Sequence, residues 1–192
     1  LLVSMTLWGY VISPIKWYHL FMIVLSYALI FILLLIIFFT ILFFLAPFFS
    51  LIPFVPVRKD ILNEITSALE LNKQSILYDL GCGDGRILFA AAKINPYISC
   101  IGIEIAPFPF LIAKIKKVLT ISENVHILYG NFSKINISPA SHVFLYLFPE
   151  VMDNLLPKFE KELKPGSRVV SWEFKFSKRE PNKILEIRST KR

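Results

Sequence analysis

Five residues in this chain combine the types and the spacing that ligand binding needs: Asp79, Gly81, Gly83, Gly85 and, 19 residues beyond the last glycine, Glu104. Asp79 closes the apolar run Ile76-Leu77-Tyr78. The glycines alternate through Gly81-Cys82-Gly83-Asp84-Gly85, and a helical run opens at Ile87 after Arg86. Glycine accepts positive φ and has no Cβ, so a loop of this kind turns tightly and lets a ligand lie against its backbone. An acid facing the loop repels phosphate and suits a ligand with positive charge near its nucleoside. Glu104 closes a second apolar run, Cys100-Ile101-Gly102-Ile103, at about the separation where an acid accepts hydrogen bonds from a ribose diol. It could instead cap the following helix or stand exposed at a strand end.

A dinucleotide-binding fingerprint, G-x-G-x-x-G, would place its third glycine at position 86, where the chain has Arg86. That substitution disfavours a nicotinamide-dependent reductase.

These residues must be held by alternating strands and helices. A helix from about Asp60 through Leu71 places Ile61, Ile65 and Leu69 on one face. Strands are expected near 76–79, 98–103, 125–129, 143–147 and 168–174, with a last one over 184–189. Helices are expected over 86–94, from the entry prolines Pro107 and Pro109 onward, and from about Glu150 to Leu163, closed by Lys164-Pro165-Gly166. The alternation argues an α/β fold with a doubly wound parallel sheet and its ligand at the carboxyl ends of the strands. Two cysteines, Cys82 and Cys100, give no disulfide framework and fit a reducing compartment. His19, His126 and His142 have no ligand spacing, so no metal is expected.

Asp79-Leu80-Gly81-Cys82-Gly83-Asp84-Gly85-Arg86 resembles motif I of the class I S-adenosylmethionine-dependent methyltransferases, and Glu104 falls where their ribose-binding acid falls. The resemblance covers roughly residues 53–176. With Leu51-Ile52-Pro53-Phe54-Val55-Pro56 and Phe148-Pro149-Glu150-Val151-Met152, the chain is further similar to the small membrane-anchored lysine methyltransferases of the ATP synthase c subunit and adenine nucleotide translocase. The resemblance implies that S-adenosylmethionine is the cofactor. Asp79 would lie near its methionine end, with the three glycines packed there, and Glu104 would hold the ribose. Asn131 stands where the family often has an acid near the adenine amino group, and Ala106 where the closer relatives usually have asparagine. Tyr146, Phe148, Pro149 and Glu150 fall where class I enzymes line the acceptor pocket. Tyr146 and Phe148 could offer π faces to the methyl sulfonium, and Glu150 could guide an ammonium-bearing substrate. Equally, Tyr146 could pack in the sheet and Glu150 could simply suit the first turn of a helix.

No Asp, Glu, Lys or Arg occurs between Lys16 and Arg58. Within that gap Leu20–Ala46 is almost wholly apolar, and at about 1.5 Å per residue it reaches about 40 Å, enough for one tilted bilayer span. A buried core helix or a secretory signal peptide are the alternatives. The run is long and apolar all round, lacks a strongly basic leader and has no A-x-A site after it, which favours an uncleaved anchor. Residues 1–15 are apolar but too short to span alone, and a truncated second span is one reading of them. Division at residue 52 is expected: an anchor over 1–52 and a catalytic domain over 53–192. Arg58 and Lys59 at one end of the span against Lys16 at the other favour a cytoplasmic domain.

All 14 acidic residues and 20 of the 21 basic ones lie beyond position 57, and residues 175–192 hold seven basic and two acidic ones. A basic face beside an anchor suits anionic headgroups. Nucleic acid is not expected, because no aromatic-plus-basic recognition module is visible. The chain therefore reads as a single-pass methyltransferase acting at a membrane surface. By resemblance its favoured acceptor is a lysine side chain of a membrane protein. Methylation of a lipid or small amphiphile, or a non-catalytic module that anchors a membrane partner, are the alternatives. The sequence leaves the oligomeric state open.

Overall fold

A computed structural model describes residues 14–49 and 55–187, which form two compact units. The first is one helix, α1 (Pro14–Phe49), longer at both ends than the 20–46 span expected from composition. Proline at its first position lacks the N–H that a helix start leaves unpaired, so the helix can begin there. Trp17–Phe43 is long and apolar enough to cross a membrane. The proposed boundary at 52 and the apolar residues 1–13 lie outside the described residues.

The second unit is an α/β sandwich. A 3-10 turn over Lys59–Ile61 leads into α2 (Leu62–Ala68), and then strands and helices alternate. They are β1 (Ile76–Leu80), α3 (Arg86–Ile94), β2 (Ser99–Glu104), α4 (Pro107–Thr120), β3 (Val125–Tyr129), β4 (His142–Leu145), α5 (Pro149–Glu162) and β5 (Arg168–Ser171). The five strands lie in the order β3-β2-β1-β4-β5, all parallel. Strand order therefore reverses between β1 and β4, and the crevice at a parallel sheet's ligand-binding edge opens there.

Helices cover both faces, so β1 and β4 are buried on both sides, as central parallel strands are. Alternation along a strand sorts the side chains. Leu77 and Phe144 pack toward Ile65, Leu69, Leu88 and Ala91, whereas Tyr78, Leu80, Val143 and Leu145 pack toward Met152, Leu155 and Phe159 of α5.

Two expectations are corrected at the sheet's outer edge. The fifth strand stops at Ser171 instead of reaching Phe174. Trp172 still donates its N–H to Leu145 O at 2.8 Å, but Glu173 turns to φ 67° and Phe174 N–H donates back to Trp172 O at 2.8 Å. That is a γ-type turn with a positive central φ, rare because it is strained. Nor is a strand formed over 184–187, the described part of the expected last strand. Ile187 instead packs against the core that holds α2 and α3, and Lys183 reaches Glu70 at 3.7 Å. Between β3 and β4 a short 3-10 turn, Phe132–Lys134, fills the link.

Candidate active site

The glycine loop joins β1 to α3 at the sheet's carboxyl edge. Gly81, Gly83 and Gly85 hold φ of 81°, 55° and 74°, so each occupies the left-handed region that disfavours any residue with a Cβ. Their neighbours add a second constraint. A Cβ on Gly85 would stand 2.8 Å from the Phe89 ring, and one on Gly81 would stand 3.1 Å from Leu147 Cδ2. The second distance sets the residues after β4 directly against the glycine loop, so Asp79, the glycines and the Tyr146–Phe148 segment border one crevice.

Backbone bonds tie the loop to β2. Gly81 and Cys82 N–H both donate to Ile103 O, at 2.8 and 3.1 Å. Gly83 N–H donates to Glu104 Oε2 at 2.8 Å, and Ala106 N–H to Glu104 Oε1 at 2.7 Å. Glu104, 8% exposed, thus braces the loop and also holds Ala106, the residue ahead of α4. Each carboxylate oxygen has a second lone pair, so the group that braces the loop keeps acceptor capacity for hydroxyls.

Asp79 is 3% exposed and accepts a hydrogen bond from no described residue. Burial, then the nearby carboxylates of Glu104 and Asp84, push its carboxyl well above the usual range. A buried acid among acids and without a cationic partner is complemented by a positively charged ligand. These groups fit S-adenosylmethionine: an anionic pocket under a sulfonium and ammonium, glycines for close approach, and an acid with free lone pairs for a diol.

Asp84 is the site acid that sequence reasoning passed over. Arg86 grips it with Nε and Nη2 at 2.9 Å each, Lys116 Nζ also bonds it, and Arg86 Nη1 donates to Val57 O. Burial alone would raise Asp84, but these cationic donors outweigh it and hold its carboxyl at about 2. The residue that excludes a dinucleotide fingerprint therefore clamps the loop to the segment ahead of α2. Nothing in the local pattern signals this, because Lys116 lies 32 residues from Asp84 and Val57 lies 29 from Arg86. Gly102 had a readable signal, a glycine inside an apolar strand. A Cβ there would stand 2.5 Å from Leu88 Cδ1 and 2.6 Å from Cys82 Sγ.

The other predicted residues spread around the crevice. Asn131 is exposed, and its Oδ1 accepts Ser133 N–H at 2.9 Å, capping the 3-10 turn. Tyr146 donates its hydroxyl to Glu173 Oε2; that bond, then burial, lifts the phenol to about 12. Its ring stacks on Phe174 at 6.1 Å, and Phe148 meets the same ring at 5.5 Å. Pro149 opens α5, and Glu150 is exposed in the first turn, where the helix dipole favours an acid. Glu173 and Phe174 were invisible as site residues while β5 was expected to run through them.

A parallel 3-2-1-4-5 sheet whose glycine loop and β2 acid converge on an anionic crevice defines an S-adenosylmethionine-dependent methyltransferase of class I fold. Residues 79–183 match the ANTKMT methyltransferase domain, and the chain belongs to that family. It is 36% identical over 138 residues to a "protein-lysine N-methyltransferase" of Saccharolobus islandicus, covering 71% of this chain and 85% of that one. It is 30% identical over 129 residues to the lysine N-methyltransferase of the ATP synthase c subunit from Rattus norvegicus, covering 65% of this chain and 57% of the rat protein. Among solved structures, the "RNA methyltransferase from Salinibacter ruber in complex with S-Adenosyl-L-homocysteine" superposes with a TM-score of 0.65 at 33% identity, covering 69% of this chain and 87% of that one.

Proposed function

We propose that this methyltransferase modifies a lysine side chain of a protein at a membrane surface, with residues 1–52 as anchor and 53–192 as catalytic domain on the cytoplasmic side. The observation that carries the acceptor is the 36% identity, over most of both chains, to a protein-lysine N-methyltransferase. Support for the membrane comes from α1, whose Trp17–Phe43 segment is long and apolar enough to span. α4 adds to it: Val118 and Leu119 are each 75% exposed, Leu111 and Ile115 about half, and the helix holds three lysines and no acid. That composition suits contact with an anionic lipid surface. Arg58 and Lys59 against Lys16 support the cytoplasmic side.

When bound, S-adenosylmethionine supplies an electrophilic methyl group on a sulfonium. Asp79 and the glycines would hold its charged end and Glu104 its ribose, with Asn131 near its base. The chain's own task is then positioning and exclusion of water, which is where most of the rate of an in-line displacement comes from. Tyr146, Phe148, Pro149 and Glu150 would border the acceptor.

An RNA acceptor is the competing reading, favoured by the name of the Salinibacter neighbour. Membranes and RNA incubated with methyl-labelled S-adenosylmethionine, with and without the full chain, separate the two. Protease-sensitive label in the membrane fraction, recovered as methyllysine after hydrolysis, is expected. Ribonuclease-sensitive label would establish the RNA reading, and label extracted into organic solvent would establish a lipid acceptor.

A further inference from the structure

We propose that Glu173, with the rings of Tyr146, Phe148 and Phe174, forms the receiving site for the acceptor's ammonium group. The proposal rests on the methyltransferase reading and adds the residues that read the acceptor's charge.

Position comes first. The register pairs Leu80 with Leu145 and Leu145 with Ser171, so β4 and β5 end side by side next to the glycine loop. Leu147 touches that loop, and Tyr146 and Phe148 flank Leu147. Charge comes next. Glu173 supplies an anion to a cluster whose other members are aromatic. Among the described residues no Lys or Arg pairs with it, and Glu173 shares this with the neighbouring Glu150. Lys175, two residues on, pairs with Glu180 instead. Tyr146 donates to one oxygen of Glu173, which orients the carboxylate and leaves acceptor capacity for a further donor.

The rings complete the site. Phe174 stacks on Tyr146 with 24° between planes and meets Phe148 at 47°, and Phe148 is 45% exposed, so an aromatic face is open to an alkylammonium. Aromatic faces attract ammonium ions through the ring quadrupole, and a carboxylate beside them adds direct charge. The backbone is consistent with a built feature. Glu173 sits at φ 67°, a conformation costly for a residue with a Cβ. Three bonds hold it there: Trp172 N–H to Leu145 O, Phe174 N–H to Trp172 O, and Ser171 Oγ–H to Phe174 O. A strained non-glycine turn held from both sides at the edge of a ligand crevice is where functional side chains are found.

The test uses the full chain in detergent, loaded with S-adenosylhomocysteine, and n-butylammonium as a mimic of the lysine side chain, with n-butanol as its uncharged counterpart. Binding is read by saturation-transfer NMR. The charged probe is expected to bind about tenfold more tightly than the alcohol, and Glu173→Gln to remove most of that preference. Glu173→Asp should restore part of it, and S-adenosylhomocysteine affinity should stay within about twofold in both variants. Equal binding of the two probes, an ammonium preference untouched by Glu173→Gln, or a parallel loss of S-adenosylhomocysteine affinity would each overturn the proposal. The lysine reading fails separately: ammonium recognition dependent on Glu173, with label found only in an amine-bearing lipid, would sink that reading and leave this one standing, whereas label found only in RNA would overturn both.

Discussion

Gly83 donates its backbone N–H to Glu104 Oε2 at 2.8 Å, so the acid expected to hold a ribose is also what fixes the glycine loop. One substitution should therefore register in two measurements. Glu104→Ala leaves the N–H groups of Gly83 and Ala106 without their acceptor, at a cost of about 1–3 kcal/mol each if they stay dry. Calorimetry should show S-adenosylmethionine affinity down about tenfold or more, and thermal unfolding should show a lower Tm. Unchanged affinity with a lowered Tm would restrict Glu104 to bracing the loop.

Asp79 should separate stability from binding. In the folded chain its carboxyl is held well above the usual range by burial, with Glu104 and Asp84 adding repulsion. A raised folded pKa means that the native state holds this proton more tightly than the unfolded chain does. Stability from this group is therefore present below the unfolded pKa and lost as pH rises toward the folded one. Asp79→Asn should raise the Tm of the ligand-free protein at neutral pH and flatten that part of the pH profile. The same variant should bind S-adenosylmethionine about tenfold or more weakly, because the cation loses its counter-charge. A fall in both quantities would contradict the buried-repulsion account.

Gly102 tests the packing under the loop. A methyl group at this position meets Leu88 and Cys82 closer than carbon atoms approach, and Leu88 is fully buried. Gly102→Ala should destabilise by about 1–3 kcal/mol, the range for overpacked cores. Chemical denaturation would measure it. Gly166→Ala is a useful contrast, since nothing lies within 4 Å of a Cβ there and only the strain of φ 87° opposes it.

The first βα unit was legible almost to the residue because its determinants are local. An apolar run, alternate glycines and an apolar helix face carry their own geometry, and α3 begins at Arg86 as the spacing predicts. The parallel sheet followed from alternation of elements. What escaped notice depends on contacts distant in sequence. The end of β5 is a local exception: Phe174 N–H to Trp172 O and Ser171 Oγ–H to Phe174 O turn the chain at Glu173, and no propensity marks a glutamate for positive φ. Ile184–Ile187 has the apolar spacing of a strand, yet Ile187 is used against the helical side of the core. Asp84 looked like one more loop residue until Lys116 and Arg86 met on it.

Asp84 gives the acid limb of the stability profile. Asp84 is buried, and its carboxyl is depressed to about 2 because the donors Arg86 and Lys116 outweigh the opposing effect of burial. A depressed folded pKa makes the native state the weaker proton binder. The resulting stability is fully present above the unfolded value, near 3.8, and disappears as pH falls through about 2. At neutral pH it amounts to about 2 kcal/mol. Asp84→Asn should therefore lower denaturant stability at pH 7 by at least that amount, since Arg86 and Lys116 then crowd together without an anion. Below about pH 2 the two proteins should converge. Unfolding curves for both chains from pH 7 down to pH 2 would decide it, and a constant gap between them across that range would show that the clamp acts through shape and not through charge.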